Sequence, residues 1–293
     1  MPELPEVETT RRGIVSMAQA QPLVEMTVRE RRLRWPIAPT LPSALAETTL
    51  VDCHRRGKYL LMRFDPAGTL LVHLGMSGSI RTVPVDSLWR AHDHVQWHFA
   101  NGTCLRYHDP RRFGAIIWHP AAAGQATEHP LLARLGVEPF DAAFTVDHLL
   151  AGLKGKKVAI KQALLAGHIV VGVGNIYASE SLFRARVHPQ QAAGEVSKPQ
   201  AARLVVAIRE TLTDALDSGG STLRDYVNSS GEPGAYFTLH AAVYEKQDKP
   251  CPVCERKIRR VVQGQRATYF CPGCQRLRKP NPARKTANNP KKP

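Results

Sequence analysis

The sequence predicts a multidomain α+β protein, and three observations support this fold class. Between residues 23 and 118, short alternating or apolar runs are separated by Gly, Pro or Asn-Gly turns, which is typical of a β-sandwich or barrel. From residue 141 to residue 217 the apolar positions recur with the helical period instead. Two Cys-x2-Cys pairs near the C-terminus predict a small metal-bound module.

A leading helix precedes the strand-rich part. The chain begins MPELPEVE, and the segment at residues 5–18 has apolar residues at helical spacing. Pro5 suits the first turn of a helix, where its missing N–H costs no hydrogen bond. Proline and glutamate are both favoured at helix starts. Taken alone, the opening residues therefore indicate ordinary helix-start chemistry.

The pattern divides the chain into five parts. A stretch rich in proline and small residues separates the strand-rich part from the helical part. The final segment has no apolar periodicity and is predicted to be disordered. The expected parts are an N-terminal strand-rich domain at 2–118, a linker at 119–140, a helical domain at 141–236, a zinc module at 237–276 and a basic tail at 277–293.

The charge is strongly positive, with 40 Lys and Arg against 25 Asp and Glu, a net charge of +15 and a pI near 9.9. Such a charge favours polyanionic partners, nucleic acid before anionic membrane. Twelve Lys and Arg but one acidic residue lie between Cys251 and Pro293, which indicates a phosphate-facing surface. No apolar run approaches the roughly 18 residues of a membrane span, and no export signal is visible. We therefore expect a cytosolic protein without a membrane partner.

Four of the six cysteines have the spacing of a four-thiolate zinc site, with sixteen residues between the two pairs. Disulfides are the alternative, and the lack of an export signal argues against them. Cys53 and Cys104 stand alone and are expected to be small buried residues. One structural Zn2+ is expected on Cys251, Cys254, Cys271 and Cys274.

Six motifs occur in order along the chain: MPELPEVE, HLGMSG, DPRRFG, GVGNIYASE, GGSTLRDY and the CPVC/CPGC pair. Together they resemble the formamidopyrimidine-DNA glycosylases, bacterial enzymes that excise oxidised purines, over residues 2–276. The resemblance implies an N-terminal β-sandwich with a leading helix, a helix-two-turn-helix module and a zinc β-hairpin. It also implies a monomer that acts on double-stranded DNA in the bacterial cytoplasm and associates with the nucleoid through DNA binding.

The resemblance gives the opening residues a second interpretation. Removal of Met1 would expose the secondary amine of Pro2, which can attack a sugar C1′ and form an iminium that acts as an electron sink. Glu3 is then the implied general acid, which protonates the sugar ring oxygen or the leaving group. Glu6 is implied as a positioning or water-orienting group, and Glu8 is interpreted as a solvated helix residue.

Two cationic residues complete the implied catalytic set. Lys58 follows a glycine turn at the start of a strand, and the resemblance makes it a proton donor for β-elimination and a phosphate contact. A solvated turn lysine is the alternative. Arg266 follows the Gly264 turn between the cysteine pairs, and the resemblance makes it the proton donor for δ-elimination. Because a guanidinium holds its proton tightly, we interpret Arg266 chiefly as a clamp on the phosphate beside the lesion.

Eversion of a base leaves a space in the duplex, which apolar side chains can fill. The resemblance implies that Met76, Arg111 and Phe113 enter the duplex, with Arg111 facing the orphaned base. Core packing is the alternative for the two apolar residues. The sequence alone favours core packing for Phe113 and divides evenly for Met76.

Contacts to the DNA backbone are implied for His92, Lys156 and Asn175. A turn histidine and a lysine in a KGKK run are by themselves ordinary solvated residues. Asn175 closes GVGN before a helix, where backbone amides make an anion site. The loop SGGSTLRDY at residues 218–226 resembles the segment that closes over the everted purine, and a plain linker is the alternative.

The features together favour a bifunctional DNA glycosylase and AP lyase of base excision repair. It would remove 8-oxoguanine and formamidopyrimidines through a Pro2 Schiff base and cleave the strand by β,δ-elimination. ELPEVE and GGSTLRDY favour this purine branch over an oxidised-pyrimidine glycosylase on the same scaffold. Pro2, Glu3 and Lys58 argue against a catalytically silent zinc protein that binds damaged DNA. A zinc-ribbon protein that binds RNA would explain the charge but not the N-terminus.

Overall fold

A computed structural model describes residues 2–221 and 234–277 of the chain. The first helix, α1, is followed by eight strands, with the short helix α2 between the first two strands. The elements of this part are α1 (Leu4–Ala18), β1 (Gln21–Val28), α2 (Leu41–Ala44), β2 (Thr49–Arg56), β3 (Tyr59–Asp65), β4 (Gly68–His73), β5 (Ser79–Val83), β6 (Asp93–Phe99), β7 (Cys104–His108) and β8 (Ala115–Pro120).

The eight strands pair antiparallel in the order β5-β7-β6-β1-β2-β3-β4-β8. The two halves of this sheet meet at β1 and β2, which share two residue pairs, Gln21 with Leu50 and Pro22 with Thr49. Inward-facing residues from both halves nevertheless belong to one hydrophobic core, as expected for a sandwich. Examples are Met62, Val72, Trp97 and Tyr107, together with Cys53. The predicted strand-rich domain with a leading helix is thus confirmed.

Helix α1 connects the two main cores of the molecule. It begins after Glu3 and carries Pro5 in its first turn, as the sequence predicts. Its residues Val7 and Ile14 pack into the sheet core, whereas Leu4 packs into the core of the helical part. The first residues of the chain therefore lie at the junction between the two cores.

The middle of the chain is helical, in agreement with its apolar period. Ser197 and Gln200 form a capping box at the start of its longest helix, and a proline occupies the first turn. Among the described residues, no helix has both the length and the apolar character that a membrane span requires. The helices are α3 (Pro130–Ala133), α4 (Val146–Leu153), α5 (Ile160–Leu165), α6 (Asn175–Arg184), α7 (Lys198–Asp217) and α8 (Tyr236–Leu239).

The C-terminal module is a two-stranded antiparallel hairpin of β9 (Arg259–Gln263) and β10 (Arg266–Phe270). Gly264 and Gln265 form its turn with positive φ angles of 53° and 62°. The hairpin and its flanking residues pack against α6 through Phe183, with Ile258 and Tyr269 in the same small core. The domain boundaries given above remain predictions, and the predicted tail lies outside the described residues from residue 278 onward.

Candidate active site and nucleic-acid interface

The carboxylate of Glu3 lies at the N-terminus of α6. It accepts hydrogen bonds from three backbone N–H groups, those of Gly174 at 2.7 Å, Ile176 at 3.0 Å and Tyr177 at 3.4 Å. Glu3 is 1% exposed. A helix N-terminus stabilises a negative charge through its free N–H groups and its dipole. The group that occupies this helix N-terminus is therefore the Glu3 side chain.

Gly174 is required for this arrangement. A Cβ atom at this position would lie 2.1 Å from Cδ of Glu3, closer than any real contact. A larger residue would therefore push the carboxylate away from the helix. The second glycine of GVGN is thus explained by the close approach of an acidic side chain that lies 171 residues earlier in the sequence.

Glu6 holds the other side of this buried cluster. Its carboxylate accepts hydrogen bonds from the backbone N–H of Glu3 at 2.7 Å, from that of Ser221 at 2.7 Å and from the Tyr177 hydroxyl at 2.5 Å. Burial raises the pKa of Glu6, and the nearby charge of Glu3 raises it further. Glu6 therefore joins α1 to α6 and to the start of the predicted 218–226 loop, whose residues 222–226 lie outside the described residues.

Pro2 and Lys58 border the Glu3 cluster. Pro2 is buried beside Glu3 at the start of the chain. Lys58 lies in the turn between β2 and β3, after Gly57 with a φ of 59°. Burial lowers the pKa of the Lys58 ammonium, while the charges of Glu3 and Glu6 act in the opposite direction. The structure thus brings the half-buried Lys58 into the electrostatic range of both glutamates, and its catalytic role remains a prediction.

A cavity of about 740 Å³ lies near Lys58, because the lining residues His73 and Arg266 are within electrostatic range of the Lys58 ammonium. Arginines dominate its lining, and a cleft lined with one sign of charge attracts a polyanion. Met76, Phe113 and His73 also line it. The five arginines of the lining are Arg32, Arg34, Arg111, Arg112 and Arg266. Of the implied site residues, Met76, Arg111, Phe113 and Arg266 therefore face one cavity.

Met76 and Phe113 are exposed, at 41% and 47% of their surface. The core-packing alternative is therefore wrong for both residues. The Arg111 guanidinium lies 4.7 Å from the centre of the Phe113 ring, in a cation–π contact. Two exposed apolar side chains beside a stacked arginine offer the apolar and planar surfaces on which a nucleobase stacks.

The three implied backbone contacts occupy separate positions. His92 is exposed in a turn before β6 with a φ of 68°, and Lys156 is exposed between α4 and α5. Asn175 is the first residue of α6, and its Nδ2 donates to the Ala267 carbonyl and the Tyr244 hydroxyl, both at 3.1 Å. Asn175 therefore connects α6 to the hairpin that carries Arg266, and the DNA contacts of all three residues remain predictions.

The four C-terminal cysteines converge as a metal site requires. Their sulfur atoms all lie within 4.8 Å of one another, with Sγ–Sγ distances of 3.8 Å for Cys251–Cys274 and 3.3 Å for Cys254–Cys271. Four thiolates at about 2.3 Å from a tetrahedral Zn2+ would be about 3.8 Å apart. Backbone N–H groups also point at two of the sulfurs. The cluster fits one structural zinc, which would fix the base of the hairpin. Cys53 and Cys104 are fully buried elsewhere, as predicted.

The sequence interpretation missed two basic residues, His73 in the cavity wall and the buried Lys161. Burial and the charges of Lys58 and Arg34 lower the pKa of His73 to about 4, so its imidazole is neutral at physiological pH. Lys161 is 1% exposed and donates to Thr268 Oγ1 at 3.0 Å. The signal available for Lys161 was a lysine within the apolar run of α5.

Two further interpretations of the sequence need correction. Glu8 is not a solvated helix residue, because its carboxylate pairs with Arg11 at 2.8 Å and with Arg55 at 3.3 Å. Arg32 and Arg34 lie in RERRLRW, which continued the strand-like pattern, whereas β1 ends at Val28. The backbone N–H groups of Arg29 and Glu30 both donate to the carbonyl of His94, and Arg32 and Arg34, which follow them, lie in the cavity wall.

Comparison with known proteins covers nearly the whole chain. The family model of the formamidopyrimidine-DNA glycosylase N-terminal domain matches residues 1–116, that of the formamidopyrimidine-DNA glycosylase H2TH domain matches residues 135–227, and that of the zinc finger found in FPG and IleRS matches residues 248–277. The three matches correspond to the strand-rich part, the helical part and the cysteine-bearing hairpin.

Similar proteins and structures point to the same family. The formamidopyrimidine-DNA glycosylase of Bordetella pertussis is 64% identical over 94% of this chain and its own full length, and that of Burkholderia lata is 55% identical over the same shares. The MutM (Fpg) protein from Thermus thermophilus is 38% identical, with a TM-score of 0.83 over 95% of this chain and all of that one. A complex of Lactococcus lactis Fpg with abasic-site DNA is 30% identical, with a TM-score of 0.86 over 94% of this chain and 99% of that one. On the strength of these matches, this chain belongs to the formamidopyrimidine-DNA glycosylases, a family of zinc-finger DNA repair enzymes.

Proposed function

We propose that this protein excises oxidised purines, 8-oxoguanine and formamidopyrimidines, from double-stranded DNA and cleaves the strand at the resulting abasic site. The observation that carries the proposal is the position of Glu3. Its carboxylate is buried, fixed by three backbone N–H groups, and adjacent to Pro2. An acid in a fixed position beside an N-terminal secondary amine is the arrangement that Schiff-base chemistry at a sugar needs.

The first step is attack of the Pro2 nitrogen on C1′ of the damaged nucleotide, after removal of Met1. The new N–C1′ bond forms as the bond from C1′ to the base breaks, and the base leaves with its electron pair. The Glu3 carboxylate takes the proton that the Pro2 nitrogen loses after the attack. The nitrogen lone pair then opens the sugar ring and moves an electron pair onto O4′, which takes this proton from Glu3. The product is an iminium between Pro2 and the opened sugar.

The iminium makes the proton at C2′ acidic, because the electrons left behind can flow to the positive nitrogen. Loss of this proton expels the 3′ phosphate, which is β-elimination, and a second elimination expels the 5′ phosphate. Lys58 is proposed to be the proton donor in the first elimination. Its pKa is lowered, chiefly by burial, which makes the ammonium a better donor. Arg266 is proposed to clamp the adjacent phosphate from the cavity wall.

The cavity residues are proposed to open the duplex. Met76 and Phe113 would fill the space left by the everted base, and Arg111 would face the orphaned partner. His92, Lys156 and Asn175 would contact the DNA backbone. The related Lactococcus lactis proteins bound to Fapy-dG containing DNA and to abasic-site DNA support the proposal that this chain binds damaged DNA. We further propose that the protein acts as a monomer in the bacterial cytoplasm and associates with the nucleoid through DNA.

Borohydride trapping tests the proposal directly. Protein shown to lack Met1 and to hold zinc is incubated with two duplexes, one with 8-oxoguanine opposite cytosine and one with an oxidised pyrimidine, and any adduct is mapped by peptide sequencing. We expect an adduct on Pro2 that forms faster with 8-oxoguanine. A matched control retains Met1, which converts the Pro2 amine to an amide and should abolish trapping.

The possible outcomes separate the alternatives. Faster trapping with the oxidised pyrimidine would keep the Pro2 mechanism and replace the proposed substrate. An adduct on a lysine such as Lys58 would replace the nucleophile. No adduct with either duplex would leave a zinc protein that binds damaged DNA without cleaving it.

A further inference from the structure

Asp109 is a fully buried aspartate that directly follows β7 and opens the DPRRFG motif. Its carboxylate accepts three hydrogen bonds. Oδ1 accepts from the Ser77 hydroxyl at 2.7 Å, and Oδ2 accepts from the Gly114 backbone N–H at 2.9 Å and from the Tyr107 hydroxyl at 3.1 Å. Ser77 directly follows Met76, and Gly114 directly follows Phe113. One carboxylate therefore joins the two loops that carry the exposed apolar side chains of the cavity.

The backbone of Asp109 makes a second set of connections. Its N–H donates to the carbonyl of His92 at 3.0 Å. Its own carbonyl accepts from Nε2 of His94 at 2.8 Å and from the N–H of Arg112 at 3.1 Å. The same residue is thus hydrogen-bonded to the turn that presents His92, where the backbone adopts a left-handed conformation with a φ of 68°.

The two loops have little freedom to adjust around Asp109. A Cβ at Gly75 would lie 2.4 Å from the backbone nitrogen of Gly114, so the loops touch through their main chains. A Cβ at Gly114 would lie 1.8 Å from the Tyr107 hydroxyl oxygen. The N–H of Arg111 also donates to the Ser77 hydroxyl oxygen at 3.3 Å. A change in the Asp109 carboxylate would therefore shift both loops together.

We propose that Asp109 is a positioning residue that fixes the spacing of Met76, Arg111, Phe113 and His92 for insertion into the duplex. Asp109 is buried behind the cavity and would act through these four residues. All three partners donate to its side chain in this structure, and the Gly114 N–H can only donate, so an amide fits the site only if a hydroxyl reverses its role. The inference rests on the proposed roles of the four residues in DNA binding.

The test is Asp109→Asn, which keeps the shape of the side chain but turns an N–H group toward a donor. We expect single-turnover excision of 8-oxoguanine from duplex DNA to fall at least about tenfold, because a buried donor loses its acceptor. Discrimination between cytosine and adenine opposite the lesion should weaken as well. Borohydride trapping on a single-stranded abasic site should change less than about twofold, since no base has to be expelled and no partner base is read.

Two companion variants separate positioning from general destabilisation. Ser77→Ala removes one of the three carboxylate contacts and should give the same pattern with a smaller loss, so it substitutes for Asp109→Asn if that variant does not fold. Asp214→Asn is the matched control, because Asp214 pairs with Arg184 at 2.6 Å between α6 and α7, far along the chain from these loops. It should leave the ratio of duplex to single-strand activity unchanged.

A parallel loss of duplex and single-strand activity in Asp109→Asn, or no loss in either, would overturn the inference. Met76→Ala and Arg111→Ala are measured in the same assay. If these two variants weaken duplex excision and opposite-base discrimination while Asp109→Asn does not, the positioning role of Asp109 is wrong and the proposed insertion of Met76 and Arg111 stands. If they change nothing, the proposed insertion of these side chains fails, and the inference fails with it.

Discussion

Two regions of the site have opposite physical properties. The region around Glu3 is dry, with Glu3 1% exposed, Glu6 2% exposed and both carboxylates bonded to main-chain N–H groups. The region around Met76 and Phe113 is open, with both apolar side chains more than two-fifths exposed. The first region keeps polar groups away from water, and the second keeps apolar groups in it.

The difference follows from what each region is proposed to do. A proton donor and its neighbours must be in position before the reaction, and fixed backbone dipoles in a dry site provide this at no cost of reorganisation. A side chain that replaces a base must be available to the duplex, so its apolar surface stays exposed until DNA arrives. Changes in the two regions should therefore affect different steps, chemistry in the first and duplex recognition in the second.

Glu3→Gln should give the largest effect and should affect chemistry alone. The variant cannot donate the proton at O4′, so single-turnover excision should fall by at least about 100-fold. Affinity for a lesion duplex, measured by fluorescence anisotropy, should change less than about threefold. Glu8→Gln on the same helix is the control and should retain most of the excision rate. A large loss of affinity in Glu3→Gln would mean that the two regions are not separable.

Removal of zinc should mainly affect recognition. Cys254→Ala leaves three thiolates, so we expect loss of the bound metal and a loosened hairpin that no longer holds Arg266 at the cavity. Lesion-duplex affinity should fall and its dependence on salt should become less steep, because the cations of the loosened hairpin no longer contact phosphates. Metal content by mass spectrometry checks the first point, with Cys104→Ala as the control outside the cluster. Full affinity in a zinc-free variant would show that the hairpin does not need its metal to bind DNA.

Lys161 lies between the dry region and the hairpin, near Glu3 and bonded to Thr268. The pH dependence of its contribution to stability tests this connection. Burial is the chief cause that lowers its pKa from 10.5 to about 7. Between these values the unfolded chain binds more protons than the folded one, so the Lys161 contribution to stability rises with pH. The unfolding free energy of the parent protein minus that of Lys161→Met should rise by at most about 1.4 kcal/mol per pH unit above pH 7.

Urea unfolding between pH 7 and pH 9 provides this measurement. Lys157→Met is the matched control, because Lys157 is an exposed lysine in the segment that precedes α5. The difference in unfolding free energy between parent and variant should change more steeply with pH for Lys161→Met than for this control. Equal slopes for the two variants would mean that Lys161 is not a buried, partly neutral link to the hairpin.

The smallest effect is expected from the basic tail. Deletion of residues 278–293 removes six Lys and Arg. The affinity for undamaged DNA should fall severalfold, and its dependence on salt should become less steep, by about 0.9 for each phosphate that the tail no longer neutralises. A tail of equal length with the six basic residues changed to serine is the control. An unchanged salt slope would remove the tail from DNA binding.

Features with local causes could be predicted from the sequence. Pro5 in a first turn and the Glu3 to Glu6 spacing define the start of α1, because helix ends are set by neighbouring residues. The spacing of the cysteine pairs defines a metal site, because each knuckle supplies two ligands from four residues. The alternation of apolar and turn residues defines the strands. The six motifs in order then identified the family, and with it the candidate residues.

Only the tertiary structure decided which of these residues meet and what surrounds them. Glu3 reaches its position beside Gly174 across 171 residues of sequence, and no local pattern encodes that contact. Phe113 looked like a core residue because an aromatic side chain is usually buried, but its position at a loop held by Asp109 leaves it exposed. Lys161 received no role from the sequence, yet its ammonium group is buried against the hairpin and donates to Thr268. Burial and long-range hydrogen bonds depend on how the chain packs, and the physical chemistry of this site depends on both.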